Sequence, residues 1–483
     1  MTEQELIKTL DALVALPKET EWVEFKRNFH SPEEIGERLS ALSNSACLWD
    51  MEFGYLVFGV VDESHEIVGT NFCCKSHKKG NEELEMWLMN RLAPRIDVEM
   101  YEFDYRPGVH ISMYKIPAAV GGTVKFLNQA YIRVGSLTKL LVGYPEKEAK
   151  IWRKNEQRRI EEIVVKDGMT VGDVVTELNA QTYFDRMELP MPLTAESVVN
   201  KLVEERLVKR TLTGYGVTMM GAILLAKDLR KFGNLARRSP RVIVYKGKNK
   251  VETVREQDFE QGYAVCAEEL LTWINGQIPS REVIGVAARD DERMYSKRTM
   301  RELVMNALIH QNFAEKGFPM VEIYSDRVEI SNAGLPLISV DRFIDEYLSR
   351  NEALSDLMRR MHFCEEKGSG MDKVIIDNEQ YMLPPVRVRV TENRTVVTVF
   401  GYKKWSELAH DERMQACYQH ACLKYVSNEK MTNQTLRERF GIDQKNYSMA
   451  SRLIKDTVEA GLIKVENPDV QKRADISYVP FWA

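Results

Sequence analysis

The sequence has no segment long and apolar enough to cross a membrane as a helix. Its longest apolar run, Val217 to Ala226, is about half a bilayer span. It also has no paired-cysteine spacing. Seven cysteines, odd in number and without a CxxC, argue against a disulfide framework and fit a reducing compartment. The adjacent Cys73-Cys74 with His77 could be metal ligands, but one cluster without a second pair is a weak signal, and structural or incidental thiols are the expectation. The opening stretch, MTEQELIKTL, lacks the charged-then-apolar pattern of a secretory signal, and a cytoplasmic protein is expected. Neither sign of charge dominates. A net charge of −5 excludes an all-over polyanion binder and confines any nucleic-acid surface to a local patch.

What is there is the composition of a globular protein, with 44% hydrophobic and 29% charged residues. At 483 residues the chain is too long for one core, and roughly three or four domains are expected. One stretch organises the rest: Arg301-Glu302-Leu303-Val304-Met305-Asn306-Ala307-Leu308-Ile309-His310. Glu302, Asn306 and His310 stand at i, i+4 and i+8, one polar row on a helix that is otherwise apolar nearly all round. Buried without partners, the carboxylate and the amide would cost about 1–3 kcal/mol each. The partner is either neighbouring protein or a ligand.

Before that helix, Glu19-Thr20-Glu21-Trp22-Val23-Glu24-Phe25-Lys26 alternates as a strand, with Trp22, Glu24 and Lys26 on one side. Ser31-Pro32-Glu33-Glu34 starts a helix to about Ser45 that turns Ile35, Leu39 and Leu42 inward. Gly54 to Val61 reads as a covered strand, Asp62 to His65 as its turn, and 98–105, 109–116 and 130–134 as further strands. Residues 146–166 read as a solvated helix and 255–276 as a long one. Hairpins are expected at 320–332 and 386–400. Asn332-Ala333-Gly334-Leu335-Pro336 reads as a turn, and Gly368-Ser369-Gly370 opens a helix whose backbone N–H groups can meet an anion. At the C-terminus three helices, the last over 446–460 with Met449, Leu453, Ile454 and Val458 inward, precede strands at 462–465 and 476–479. That is the winged-helix order, with Gln444, Lys445, Asn446, Ser448, Arg452 and Lys455 on the recognition helix and Lys472 and Arg473 in the wing.

ETEWVEFK, GYLVFGVVDESHEIVG and GGTVKFLNQAYIRVGS, in this order, resemble the AlbA-type (AlbA_2) domain of the Schlafen superfamily. The resemblance implies nucleic-acid binding, of RNA or DNA. In nuclease members of the superfamily it further implies a metal-dependent ribonuclease site, matched here by Glu19, Glu24 and Asp62 with Lys26 beside them. Such carboxylates would make a hard site for Mg²⁺ or Mn²⁺, and Lys26 would contact the scissile phosphate. The bland alternative is a Glu24–Lys26 ion pair, worth about 0–1 kcal/mol if exposed. Lys125, Tyr131 and Arg133 are candidates for backbone contact and base stacking.

The later motifs are similar to the ATP-binding domain of the GHKL superfamily, in the divergent branch often fused to Schlafen-type domains and labelled as transcriptional regulators or RecG-related proteins. The match implies that Glu302 orients or deprotonates water and that Asn306 carries Mg²⁺, with His310 beside them. Asn332 and Gly334 would begin the first glycine motif, and Gly368, Ser369 and Gly370 would meet the phosphates, under a lid at 335–367. Asn332 stands where an adenine-reading Asp is usual, so it would accept from adenine without charge assistance.

The expected fold is thus α+β and multidomain. It comprises an AlbA-like domain at 1–148, a helical linker region at 149–250, a GHKL α/β sandwich at 251–402 and a winged helix at 405–483. The expected function is an ATP-regulated, Mg²⁺- or Mn²⁺-dependent endoribonuclease acting on tRNA-like substrates, with a place in phage defence. The alternative is an ATP-sensing, DNA-binding transcriptional regulator that cleaves nothing. A homo-oligomer is expected because GHKL domains often dimerise.

Overall fold

The computed structural model describes residues 2–16, 20–28, 31–157, 160–284, 289–364, 370–469 and 476–483. The chain is mixed α+β and folds as two compact units. One comprises Met1–Val171 with Val208–Val217, and the other Gly172–Leu207 with Thr218–Ala483. Among the described residues no helix is long and apolar enough to cross a membrane.

In the first unit, the strands Val23–Lys26, Phe53–Phe58, Val109–Pro117 and Glu99–Arg106 lie side by side in that order. The first pair is parallel and the others antiparallel. The helix Pro32–Leu48 starts where its sequence signals it: Ser31 caps it through the Glu34 N–H, and Pro32 follows. Ile35, Leu39 and Leu42 are buried as expected, but so are Ser40, Ser43, Asn44 and Ser45. This second face is packed through hydrogen bonds. Asn44 Nδ2 donates to the Val124 and Tyr131 carbonyls at 2.9 and 2.8 Å, and its Oδ1 accepts from the Val124 N–H. Ser45 Oγ accepts from the Arg133 N–H at 3.0 Å. A small polar face thereby docks the strand Gln129–Val134 and carries Arg133 inward.

The second unit holds a six-stranded sheet in the order Thr253–Asp258, Arg241–Tyr245, Met320–Ile323, Arg327–Ala333, Arg394–Phe400, Arg387–Val390. Both expected hairpins are part of it. The long helix expected over 255–276 is instead the strand Thr253–Asp258 followed by the helix Tyr263–Gln277. Pairing with Arg241–Tyr245 satisfies the backbone of 253–258, and that overrides the helical propensity of its Arg, Glu and Gln. Likewise the helix expected over 146–166 is Pro145–Gln157, with a strand at Val164–Met169.

The helix Lys297–Ile309 lies on the sheet and against the helices Tyr263–Gln277 and Gly370–Gln380. Ser296 caps it through the Thr299 N–H at 2.9 Å. Ser296, Arg298 and Thr299 all converge on the buried Asp377 carboxylate of the Gly370–Gln380 helix. Further on, the helices His410–Val426, Asn433–Phe440 and Tyr447–Glu459 pack around Cys417, Leu436 and Leu453, with Gly441 in a left-handed cap. Strands Ile463–Val465 and Tyr478–Pro480 pair antiparallel after them. Met449, expected inside, is 40% exposed, because Ala450, Leu453, Ile454 and Thr457 form the buried face.

Burial raises the Asp377 pKa, but the donors from Arg298, Ser296 and Thr299 outweigh it and hold the group below the usual carboxylate range. Replacing Asp377 with Asn should cost about 1–3 kcal/mol at neutral pH, read as a lower urea midpoint. A depressed carboxylate stabilises above its unfolded pKa and loses that contribution as pH falls through the folded one. The gap between wild type and Asp377→Asn should therefore close on acidification below the ordinary Asp range. A gap that does not change with pH would refute the clamp.

Candidate functional site

A cleft of about 1130 Å³, part of it open to solvent, lies between the helix Lys297–Ile309, the sheet and the segment after Gly334. Its wall includes Glu302, Asn306, His310, Asn332 and Gly370, five residues picked out along the sequence. The other two glycine-motif residues, Gly368 and Ser369, lie outside the described residues, as do Glu19, Lys472 and Arg473. The remaining lining is mostly apolar, with Leu335, Leu337, Ile338 and Phe343 opposite the helix. An apolar slot with a few convergent polar groups is the usual make-up of a small-molecule site.

Glu302 is only 4% exposed, yet among the described residues its carboxylate takes no hydrogen bond and no ion pair. The Asn306 side-chain amide, one turn on, makes no hydrogen bond there either. Gly370 explains how the second helix comes so close: a Cβ there would stand 2.9 Å from Glu302 Oε2 and 3.4 Å from Asn306 Nδ2. Asn332 Nδ2 donates to the His310 and Ala333 carbonyls at 3.0 and 3.1 Å. Its Oδ1 is therefore the atom left to accept. Gly334 has φ +104°, and a Cβ there would meet Asn312 Cβ at 2.7 Å. Arg350, within the expected lid and not among the expected site residues, lines the cleft and donates to the Leu335 carbonyl. Nothing in its local pattern marks it out.

Burial, and then the nearby Arg350 charge, push the His310 pKa down to about 4. At neutral pH it is an uncharged imidazole, set edge-on to Tyr347 with ring centroids 5.8 Å apart.

In the first unit the charged residues form a chain. Glu24 is 3% exposed. Its Oε1 lies 3.2 Å from Lys26 Nζ and 2.9 Å from Arg38 Nε, and its Oε2 lies 2.7 Å from Arg133 Nη1. Lys26 Nζ also reaches Asp62 Oδ2 at 2.8 Å. Glu24 and Asp62 are thus bridged by Lys26, and Arg133, expected to face nucleic acid, is buried on Glu24. Arg38 was missed; its one local signal is Glu34 four residues earlier, with which it also pairs at 2.8 Å. Lys125 is exposed, and Tyr131 holds Glu37 and Gln129 through its hydroxyl. In the C-terminal helices Lys445, Arg452 and Lys455 are all exposed.

A hard dication fits the first site and not the second in this arrangement. Glu302 and Asn306 offer an unpaired carboxylate and an amide oxygen on one helix face. At Glu24 a dication would meet three cations that already neutralise the carboxylate.

Comparison with known protein families matches two segments of the chain. Residues 19–142 match the family described as "Schlafen, AlbA_2". Residues 317–399 match the family HATPase_c_4, described as "Putative ATP-dependent DNA helicase recG C-terminal", a segment that begins just after the helix bearing Glu302 and Asn306. No curated protein matches. Among solved structures, the DIP2311 protein from Corynebacterium diphtheriae shares 14% identity over 99% of this chain and 97% of its own. Its TM-score is 0.42, which carries no weight for the fold.

His310 should stay neutral well below the ordinary histidine range, its NMR ring shift unchanged from pH 8 to about pH 5. Between its ordinary pKa and about 4 the unfolded chain binds a proton that the folded chain does not, so acidification over that window should lower stability. His310→Asn should remove that part of the acid sensitivity in thermal melts. A ring titrating near its ordinary pKa would overturn the assignment. The chain joins a segment that matches the Schlafen AlbA_2 model to one that matches the HATPase_c_4 model.

Proposed function

We propose that the chain is an ATP-sensing, nucleic-acid-binding protein. The observation that carries this reading is the buried, unpaired Glu302 beside Asn306 in an apolar cleft. A carboxylate in that setting needs a cation, and Mg²⁺ accompanying a nucleotide supplies one. Asn306 would hold the metal and Glu302 would orient water. Asn332 Oδ1 would accept from the adenine amine, and the Gly370 helix start would face the phosphates. When bound, the ion supplies polarisation of the phosphates; the protein supplies the apolar wall and the neutral His310.

The helix that opens at Gly370 supports signalling to the C-terminal helices. Its far end carries Glu379, whose carboxylate oxygens lie 3.0 Å from His420 Nδ1 and 3.4 Å from Arg439 Nε. Nucleic acid would be met by the AlbA-like unit through Lys125. It would also be met by the exposed Lys445, Arg452 and Lys455 of the C-terminal helices, read as a winged helix.

A specific observation favours a second reading, a metal-dependent endoribonuclease. Glu24, Lys26 and Asp62 do converge, and Lys26 is the link between the two carboxylates. A substrate phosphate that drew Lys26 away would free Asp62 for the metal, together with Glu19, while Glu24 would have to share its oxygens with Arg38 and Arg133. The tRNA-like substrate and a role in phage defence belong to that reading.

Three measurements decide. With Mg²⁺ present, Asn306→Ala should weaken ATP binding by at least about 10-fold in calorimetry; an unchanged affinity would rule out the metal role. Lys125→Ala should weaken binding to labelled tRNA or duplex DNA and lower the salt slope by about 1. Incubation of the same nucleic acids with Mn²⁺, with and without ATP, should leave them intact in wild type and Glu24→Gln alike. Cleavage by wild type alone would replace the first reading by the second.

A further inference from the structure

A third constellation lies in the first unit, apart from the Glu24 cluster. Strands Glu99–Arg106 and Val109–Pro117 are antiparallel neighbours, with Asp104 opposite His110 and Glu102 opposite Ser112. Two-residue spacing puts Glu102, Asp104 and His110 on one face of the pair. The segment that follows Gly69 is laid across that face by four hydrogen bonds. The Thr70 N–H donates to the His110 carbonyl at 2.9 Å, and Ser112 Oγ to the Phe72 carbonyl at 2.6 Å. The Cys74 N–H donates to Ser112 Oγ at 3.4 Å, and the Lys75 N–H to Glu102 Oε1 at 2.8 Å. Cys73 is delivered between these anchors. Cys74 turns instead toward the Tyr101 carbonyl.

We propose that Cys73, Glu102 and His110 form a mononuclear zinc site with solvent in its fourth position. Their ligand atoms all lie within 4.8 Å of one another, and Cys73 Sγ is 3.8 Å from His110 Nε2. Zn–S and Zn–N bonds of about 2.3 and 2.0 Å at a tetrahedral angle put those two atoms about 3.5 Å apart. Closure around the ion therefore needs only a few tenths of an ångström between these two. Asp104 Oδ1 lies 3.3 Å from His110 Nδ1. A proton held there leaves the Nε2 lone pair facing Cys73, the arrangement in which a carboxylate orients a zinc-ligating histidine. Thiolate, carboxylate and neutral imidazole carry two negative charges, which balance the dication. All three side chains are half-buried, so water can reach the fourth position. The same Cys73–His110–Asp104 line resembles a nucleophilic triad, but the Glu102 carboxylate within reach of both ligand atoms adds a third ligand, which a triad does not need and a zinc site does.

The test uses the full chain, stripped of metal and titrated with Co²⁺, then with Zn²⁺. One equivalent of Co²⁺ should produce thiolate-to-cobalt charge-transfer and tetrahedral d–d bands that Zn²⁺ abolishes. Cys73→Ser should remove the charge-transfer band. His110→Ala should weaken Co²⁺ binding at least about 10-fold, and Asp104→Asn, a positioning change, about 10–100-fold. Circular dichroism checks that each variant is folded. In wild type alone, Zn²⁺ should shield Cys73 from iodoacetamide, read by peptide mass. Absence of the band, a band that survives Cys73→Ser, or alkylation of Cys73 at the same rate with and without Zn²⁺ would each overturn the site.

Discussion

A carboxylate cannot be taken out of water without something positive to meet it, and this chain answers that constraint in two opposite ways. Glu24 and Glu302 are equally buried, at 3% and 4% exposure. Around Glu24 the protein supplies three cations, Lys26, Arg38 and Arg133. Around Glu302 no cation stands within ion-pair distance among the described residues, Arg298 acting on it only at longer range, and the acid is set instead in the wall of a cleft. Burying a charge with its partners built in is a structural solution, with no guarantee of net stability. Leaving a buried charge to be met from outside makes a binding site, because the ligand recovers the desolvation cost already spent in folding.

That difference explains how much could be read from the residues alone. The polar row Glu302, Asn306, His310 was legible because a helix repeats every 3.6 residues, so three polar positions on an apolar background stand out. Its cleft was legible only through the family resemblance: the turn expected at Asn332 begins later, because the strand Arg327–Ala333 carries Asn332 paired with Thr395, and Gly334 and Gly370 alone are weak signals. The Glu24 cluster was legible only in part. Lys26 is two residues away on the same strand, but Arg133 arrives from a strand more than a hundred residues later, set by Asn44 and Ser45 of an intervening helix. A buried face of Ser and Asn has no hydrophobic signature, so nothing in the pattern announces that the Pro32–Leu48 helix is covered on both sides. The strand at Thr253–Asp258 was misread for a related reason: its residues favour a helix, and only the open edge of the sheet decides otherwise.

The same accounting of partners bears on where the second unit can move. The helix Gly370–Gln380 is held along one side by Asp377, whose carboxylate gathers Ser296, Arg298 and Thr299 from the start of the Glu302 helix. Its last turn is held by Glu379, packed between His420 and Arg439. Both of these contacts are charged or hydrogen-bonded and buried, so they resist being broken one at a time. Gly370, at the other end, touches Glu302 and Asn306 without bonding to either. The helix is thus held by polar contacts in its C-terminal half, and its N-terminal end faces the cleft. A ligand that pairs with Glu302 acts on that end first, and the helix, being rigid over a rise of about 1.5 Å per residue, has Glu379 and the C-terminal helices as its other terminus. The arrangement that leaves one carboxylate unpaired would thus also tie a ligand bound there to the rest of the unit.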